Sequence, residues 1–195
     1  MTTQLFNHNP VFRYLQERQS EMEQAIIQAS DSELQQGDLE VVVSKFVESY
    51  TLTPPSLDEG KIHYGPGRGS AHTSTSWDFG RQTTSAGSWI QASIPFAGSS
   101  ELFQVQPSSF TSNPPRGEVS GQTLILTFPH QNKSAEAVQR QVNQQLMEIK
   151  QYLATLTSDV ESYNEGLRRK ARQLIEVRRS KVNREQSLFD QLNQR

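Results

Sequence analysis

The chain has 195 residues, 33% of them hydrophobic and 21% charged, with a formal net charge of −2. That length can bury one core and carry a helical extension, and the near-neutral balance gives no overall attraction to nucleic acid or an anionic membrane. There is no cysteine, which excludes disulfides, thiolate metal sites and cysteine nucleophiles and favours a reducing compartment; a cytoplasmic location is expected.

Residues 1–53 read as helix. Met1 to Leu5 carries no basic residue and no apolar core of a secretory signal, so none is expected. Asn9 is placed to cap a helix with Pro10 at its first position, and Val11, Leu15, Met22, Ile26 and Ala29 follow one face. Gly37 then Asp38 reads as a stop followed by a new cap. The helix predicted over Leu39 to Tyr50 places Leu39, Val42, Val43, Phe46, Val47 and Tyr50 on a single stripe, and Pro54-Pro55 ends it.

Residues 54–133 are rich in Gly, Ser, Thr and Pro and carry the strand-like runs. Lys61–Tyr64, Ser76–Phe79, Ser88–Ile94, Glu101–Val105 and a run from Glu118 through Phe128 are the predicted strands. Their short, Gly- and Pro-punctuated connections imply antiparallel pairing. Residues 134–195 return to helix. Ala135, Val138, Val142, Ile149 and Leu156 have heptad-like spacing, with Leu146 and Leu153 beside the seam. Ser158-Asp159-Val160-Glu161 matches a capping box, which predicts a break near Thr157 and hence two helices in a hairpin or bent rod. The expected architecture is therefore α+β: a small antiparallel sheet flanked by an N-terminal helix pair and a long C-terminal α-helical hairpin, within a single domain.

Charge is unevenly distributed. Residues 1–60 hold 3 basic and 10 acidic side chains, whereas residues 165–185 hold 8 basic and 3 acidic. On a helix, Arg168, Arg172 and Arg179 lie near one face, with Arg178 and Lys181 on an adjacent one. Such a ladder can follow a phosphate backbone, or it can be a solvated or docked face; the interleaved Glu176 and Glu185 favour the latter. Other chemistry is sparse. Gly65-Pro66-Gly67-Arg68-Gly69 lacks the Gly-Lys-Ser/Thr ending of a phosphate loop. His63, His72 and Asp78 would form a metal triad only if neighbouring strands brought them together, and their spacing matches no ligand pattern. Serine is abundant but no Gly-x-Ser-x-Gly elbow occurs. No cofactor is expected, and the longest apolar runs, Val41–Val43 and Leu124–Leu126, are too short to span a bilayer.

Ile94-Pro95-Phe96-Ala97-Gly98, Glu101-Leu102-Phe103, Gln106-Pro107-Ser108 and Pro114-Pro115-Arg116-Gly117-Glu118-Val119 occur in that order, followed by Tyr163-Asn164-Glu165-Gly166-Leu167 and Arg178-Arg179-Ser180-Lys181. Together, over residues 94–181, they resemble a loosely defined group of uncharacterised bacterial proteins. These motifs are turns, strand ends and helix contacts, and carry no reaction. The resemblance implies a bacterial intracellular accessory protein from a multi-gene system such as phage defence.

The functional expectation is a non-enzymatic interaction or scaffold subunit. It would self-associate or dock another protein through Val138, Val142, Leu146, Ile149, Leu153, Leu167 and Leu174, because long amphipathic helices beside a modest core bury their stripes against something. The alternatives are nucleic-acid binding through Arg168, Arg172, Arg178, Arg179 and Lys181, and a hydrolase or metal enzyme built on His63, His72 and Asp78.

Overall fold

A computed structural model describes residues 3–67, 76–78, 81–83, 89–111, 113–129 and 134–194. In chain order the elements are β1 (Thr3–Gln4), β2 (Asn9–Pro10), α1 (Val11–Gln28), α2 (Asp31–Gln35), α3 (Leu39–Tyr50), β3 (Ser56–Leu57), β4 (His63–Pro66), β5 (Ser76–Asp78), β6 (Arg81–Thr83), β7 (Trp89–Ala97), β8 (Val105–Gln106), β9 (Arg116–Ser120), β10 (Thr123–Pro129) and α4 (Ala135–Asn193). Short 3-10 helices cover Glu59–Lys61 and Ser100–Gln104. The protein is α+β with a curled antiparallel sheet and a long C-terminal helix. Two compact units share the chain: Met1–Pro10 with Pro54–Thr157, and Val11–Thr53 with Ser158–Arg195.

The first unit is organised by two alternating strands. Ala92, Ile94 and Phe96 on β7 and Leu124, Leu126 and Phe128 on β10 are buried, and the intervening residues are not. The antiparallel register sets Leu124 opposite Ile94 and Leu126 opposite Ala92, so all six share one face. The sheet runs β1-β9-β10-β7-β3, with β4 also paired to β7. Gly121, at φ 57°, makes the tight turn between β9 and β10. Gly117 on β9 is small for a packing reason: a Cβ there would stand 3.0 Å from Leu5 Cδ1 and 3.1 Å from Leu126 Cδ2.

An aromatic chain joins the N-terminal segment to this core. Phe6 stacks on Tyr152 at 5.1 Å and meets Phe103 at 5.7 Å, and Phe103 meets Phe96 edge-on at 4.9 Å. Phe6 has φ 54°, a costly conformation for a bulky residue. Burial of the ring, and an N–H donated to the Phe103 carbonyl at 2.6 Å, hold it there. Within this unit α4 buries Val138, Val142, Leu146, Ile149, Tyr152, Leu153 and Leu156. The Tyr152 hydroxyl sits 2.8 Å from Thr111 Oγ1 and accepts from the Thr111 N–H at 3.0 Å.

The second unit is a three-helix bundle with a short fourth helix. Val11, Leu15, Met22 and Ile26 of α1, Leu34 of α2, Val42 and Val43 of α3, and Val160, Tyr163, Leu167, Ala171 and Ile175 of α4 are buried. Two helix starts are capped, at Asp38 as the sequence signals and at Ser30, which is not among the caps expected from the sequence. Asp38 accepts from the Glu40 N–H at the start of α3, and Ser30 accepts from the Glu33 N–H at the start of α2. Polar contacts fix the helix directions. Asn164 brackets Leu52, donating to its carbonyl at 2.9 Å and accepting its N–H at 3.2 Å. Tyr163 donates to the Tyr50 carbonyl at 3.2 Å. Glu40, at the other end of α3, meets Arg168 and Arg172. α3 therefore runs antiparallel to α4.

Several local expectations change. The predicted break near Thr157 is absent, and α4 is one helix of 59 residues rather than a hairpin. The seam Ile149, Leu153, Leu156, Val160, Tyr163, Leu167 alternates steps of four and three straight through the capping box, and all six residues are buried. Continuous burial outweighs a local start signal, and Thr157 turns its hydroxyl back to the Leu153 carbonyl at 2.8 Å. The run from Glu118 to Phe128 is two strands, folded back at Gly121. Glu101–Val105 is a 3-10 turn leading into β8, and the strand expected at Lys61 begins at His63. Asn9 and Pro10 pair in parallel with Val105 and Gln106.

Candidate interaction surface

The seven residues expected to anchor a partner are placed mostly inside the chain. Val138, Val142, Leu146, Ile149 and Leu153 are between 0% and 6% exposed in the first unit, and Leu167 is 0% exposed in the second. Leu174 is half-buried. This corrects the expectation that these residues form a free face: the stripe is covered by the chain's own core, where each large side chain contributes roughly 1.5–3 kcal/mol of burial.

The basic ladder is likewise engaged within the second unit. Arg178 Nη1 donates to the carbonyls of Ile26 at 2.9 Å, Ile27 at 2.9 Å and Ala29 at 2.8 Å, and Nη2 reaches Asp31 at 2.5 Å. One guanidinium thus serves carbonyls that the end of α1 leaves without helical partners, at the negative end of its dipole. Arg179 donates to the Leu34 carbonyl at 2.5 Å and the Gly37 carbonyl at 3.2 Å, closing the end of α2. Arg168 and Arg172, one turn apart, share the Glu40 carboxylate, with Arg168 at 2.9 Å. Lys181 lies 3.8 Å from Glu185 on its own helix. The acidic first half and basic terminal helix read from the sequence are complementary within this unit. Elsewhere in the unit, burial pushes the Tyr163 phenol up to about 12.

His63 is exposed on β4, in register with Ser93. His72, Arg68 and the side chain of Asp78 lie outside the described residues. Among the described residues, no group of three His, Asp or Glu side chains could hold a metal ion, and no helix is long and apolar enough to cross a membrane. Gly67 donates to the Trp89 carbonyl at 2.8 Å, and a Cβ there would meet the Ile90 backbone at 3.0 Å. This glycine therefore serves close strand approach.

What stands in solvent is the end of α4. Gln35 Nε2 of α2 donates to Asn183 Oδ1 at 3.1 Å. Every described residue from Asn183 on is exposed, including Leu188 at 55%, Phe189 at 62% and Leu192 at 60%. Phe189 and Leu192 continue the core-facing phase, and Leu188 stands beside it. Ala171, Ile175, Arg178, Val182, Glu185, Phe189 and Leu192 follow steps of four and three, buried at the start and bare at the finish. Phe189 is not among the anchors expected from the sequence, although its spacing from Val182 and Leu192 is regular. Searches against family models, curated proteins and solved structures gave no match to this chain.

Proposed function

We propose that this protein is a non-enzymatic interaction subunit and that the exposed end of α4 is its contact element. One observation supports the reading: beyond Asn183, which accepts from Gln35 of α2, Phe189 and Leu192 keep the phase of the bundle core and stand in water with Leu188 beside them. Three large apolar side chains on one exposed helical segment form a patch of the kind that marks contact sites. Leu188→Asp, Phe189→Asp and Leu192→Asp, made together, are expected to leave the circular dichroism and melting of the protein unchanged while removing the proteins that co-purify with it from its native host. Complexes that survive these three changes would discard the reading.

Nucleic-acid binding is the weaker alternative. Four of the five basic residues proposed for it already bond to carbonyls or carboxylates of α1, α2 and α3, so binding a phosphate backbone would compete with the bundle's own contacts.

A further inference from the structure

We infer that residues 3–10 form a releasable strap, and that the groove beneath it binds an extended peptide carrying an aliphatic residue followed by an aromatic one. All the residues concerned belong to the first unit. Within the strap only Leu5 and Phe6 are buried. Its strand pairing is short at both ends, Thr3 and Gln4 with β9 and Asn9 and Pro10 with β8. Between them Leu5 donates its N–H to the Pro115 carbonyl and His8 donates to the Gln104 carbonyl, each at 2.9 Å. Two side chains therefore hold the strap down. An extended strand sends neighbouring side chains to opposite faces, and the left-handed turn at Phe6 is what lets Leu5 and Phe6 both point inward. The strain thus sits in the very residue that carries the buried ring.

The groove is shaped for these two side chains. Gly117 leaves the space that Leu5 fills, and the Phe103 and Tyr152 rings flank Phe6. Sheet edges take up extended peptides in this way, with main-chain bonds giving affinity and side-chain pockets giving specificity. The strap is such a peptide supplied by the chain itself, and its strained turn weakens its hold. A competing segment gains access in proportion to the fraction of molecules in which the strap is open.

Hydrogen exchange in the full-length protein reads strap release directly. The Leu5, Phe6 and His8 amides should exchange together and faster than the amides of β10. Phe6→Ala and Phe6→Gly both lose the ring, but only the first keeps the strained turn, so Leu5 and His8 should exchange about fivefold faster in Phe6→Ala than in Phe6→Gly. A synthetic peptide of residues 3–10 should bind the full-length Phe6→Ala protein, and bind wild type more weakly. The same peptide carrying Phe6→Ala should bind neither. Should Phe6→Ala fail to fold, wild type and Phe6→Gly carry both the exchange and the peptide measurements. Exchange of the three amides no faster than that of β10 would overturn the strap. Absence of peptide binding, or binding indifferent to the peptide's aromatic residue, would overturn the groove.

Discussion

From Val138 to Ile175 the seam of α4 is buried against its own chain, and at Phe189 and Leu192 side chains in continuing phase stand in water. The spacing of apolar residues encodes a face; what covers the face is decided by how far the other elements extend. Here α1 and α2 reach α4 at Arg178, Arg179 and Asn183, and the described residues of α4 beyond that point have no covering helix. A bare stripe and a core stripe are thus the same sequence device at two addresses.

The sharpest way to break the comparison is truncation at both addresses. Ile149→Ala and Leu167→Ala, at fully buried sites, should each cost about 2–5 kcal/mol in chemical denaturation, whereas Leu192→Ala should stay within about 0.5 kcal/mol. Equal losses would erase the distinction. Next comes the cap that marks where coverage ends. Arg178→Ala removes donors from three carbonyls and the partner of Asp31, and should cost roughly 2–3 kcal/mol; Arg178→Lys should recover only part, because an ammonium lacks the planar fork.

A smaller effect comes from Tyr163, whose phenol is held protonated up to about 12 against an ordinary 10.0. Below pH 10 both folded and unfolded chains keep the proton. Between about 10 and 12 the unfolded chain releases it first, so stability should fall as pH rises through that window. Tyr163→Phe should flatten this part of the stability–pH curve, and an unchanged slope would remove Tyr163 as its source. The smallest change is Glu40→Gln. Its pairs with Arg168 and Arg172 are partly exposed, so the loss should be below about 1 kcal/mol and shrink with added salt.

The helices were the most legible part of the fold. The cap at Asp38 and the bounds Leu39–Tyr50 follow directly from residue type and period. Strand positions were legible where alternation was strong, as at Ile94 and Leu124. They failed at Glu101–Gln104, where an apolar run folds as a turn because Leu102 and Phe103 are both buried. Ser158 to Glu161 misled because a cap motif is a local signal, and the buried neighbours on both sides belong to one seam. The candidate surface was half legible. Leu188 and Leu192 stand about one helical turn apart in the sequence, yet nothing in it showed that Val138 and Leu167 would be covered and they would not. The arginines read as a ladder because their targets, backbone carbonyls of Ile26, Ile27, Ala29, Leu34 and Gly37, carry no side-chain signature.

The carbonyls that Arg178 serves lie about 150 positions before it in the sequence, and more than a hundred residues of the other unit separate the two segments of the bundle. During synthesis α1 and α3 therefore leave the ribosome long before their third helix exists. Their apolar faces must wait, loosely structured or chaperone-bound, until nearly the whole polypeptide has emerged. The sheet-bearing unit is the one able to mature first, and the bundle closes late, which makes the nascent N-terminal helices the stage of this protein's life most exposed to misassembly.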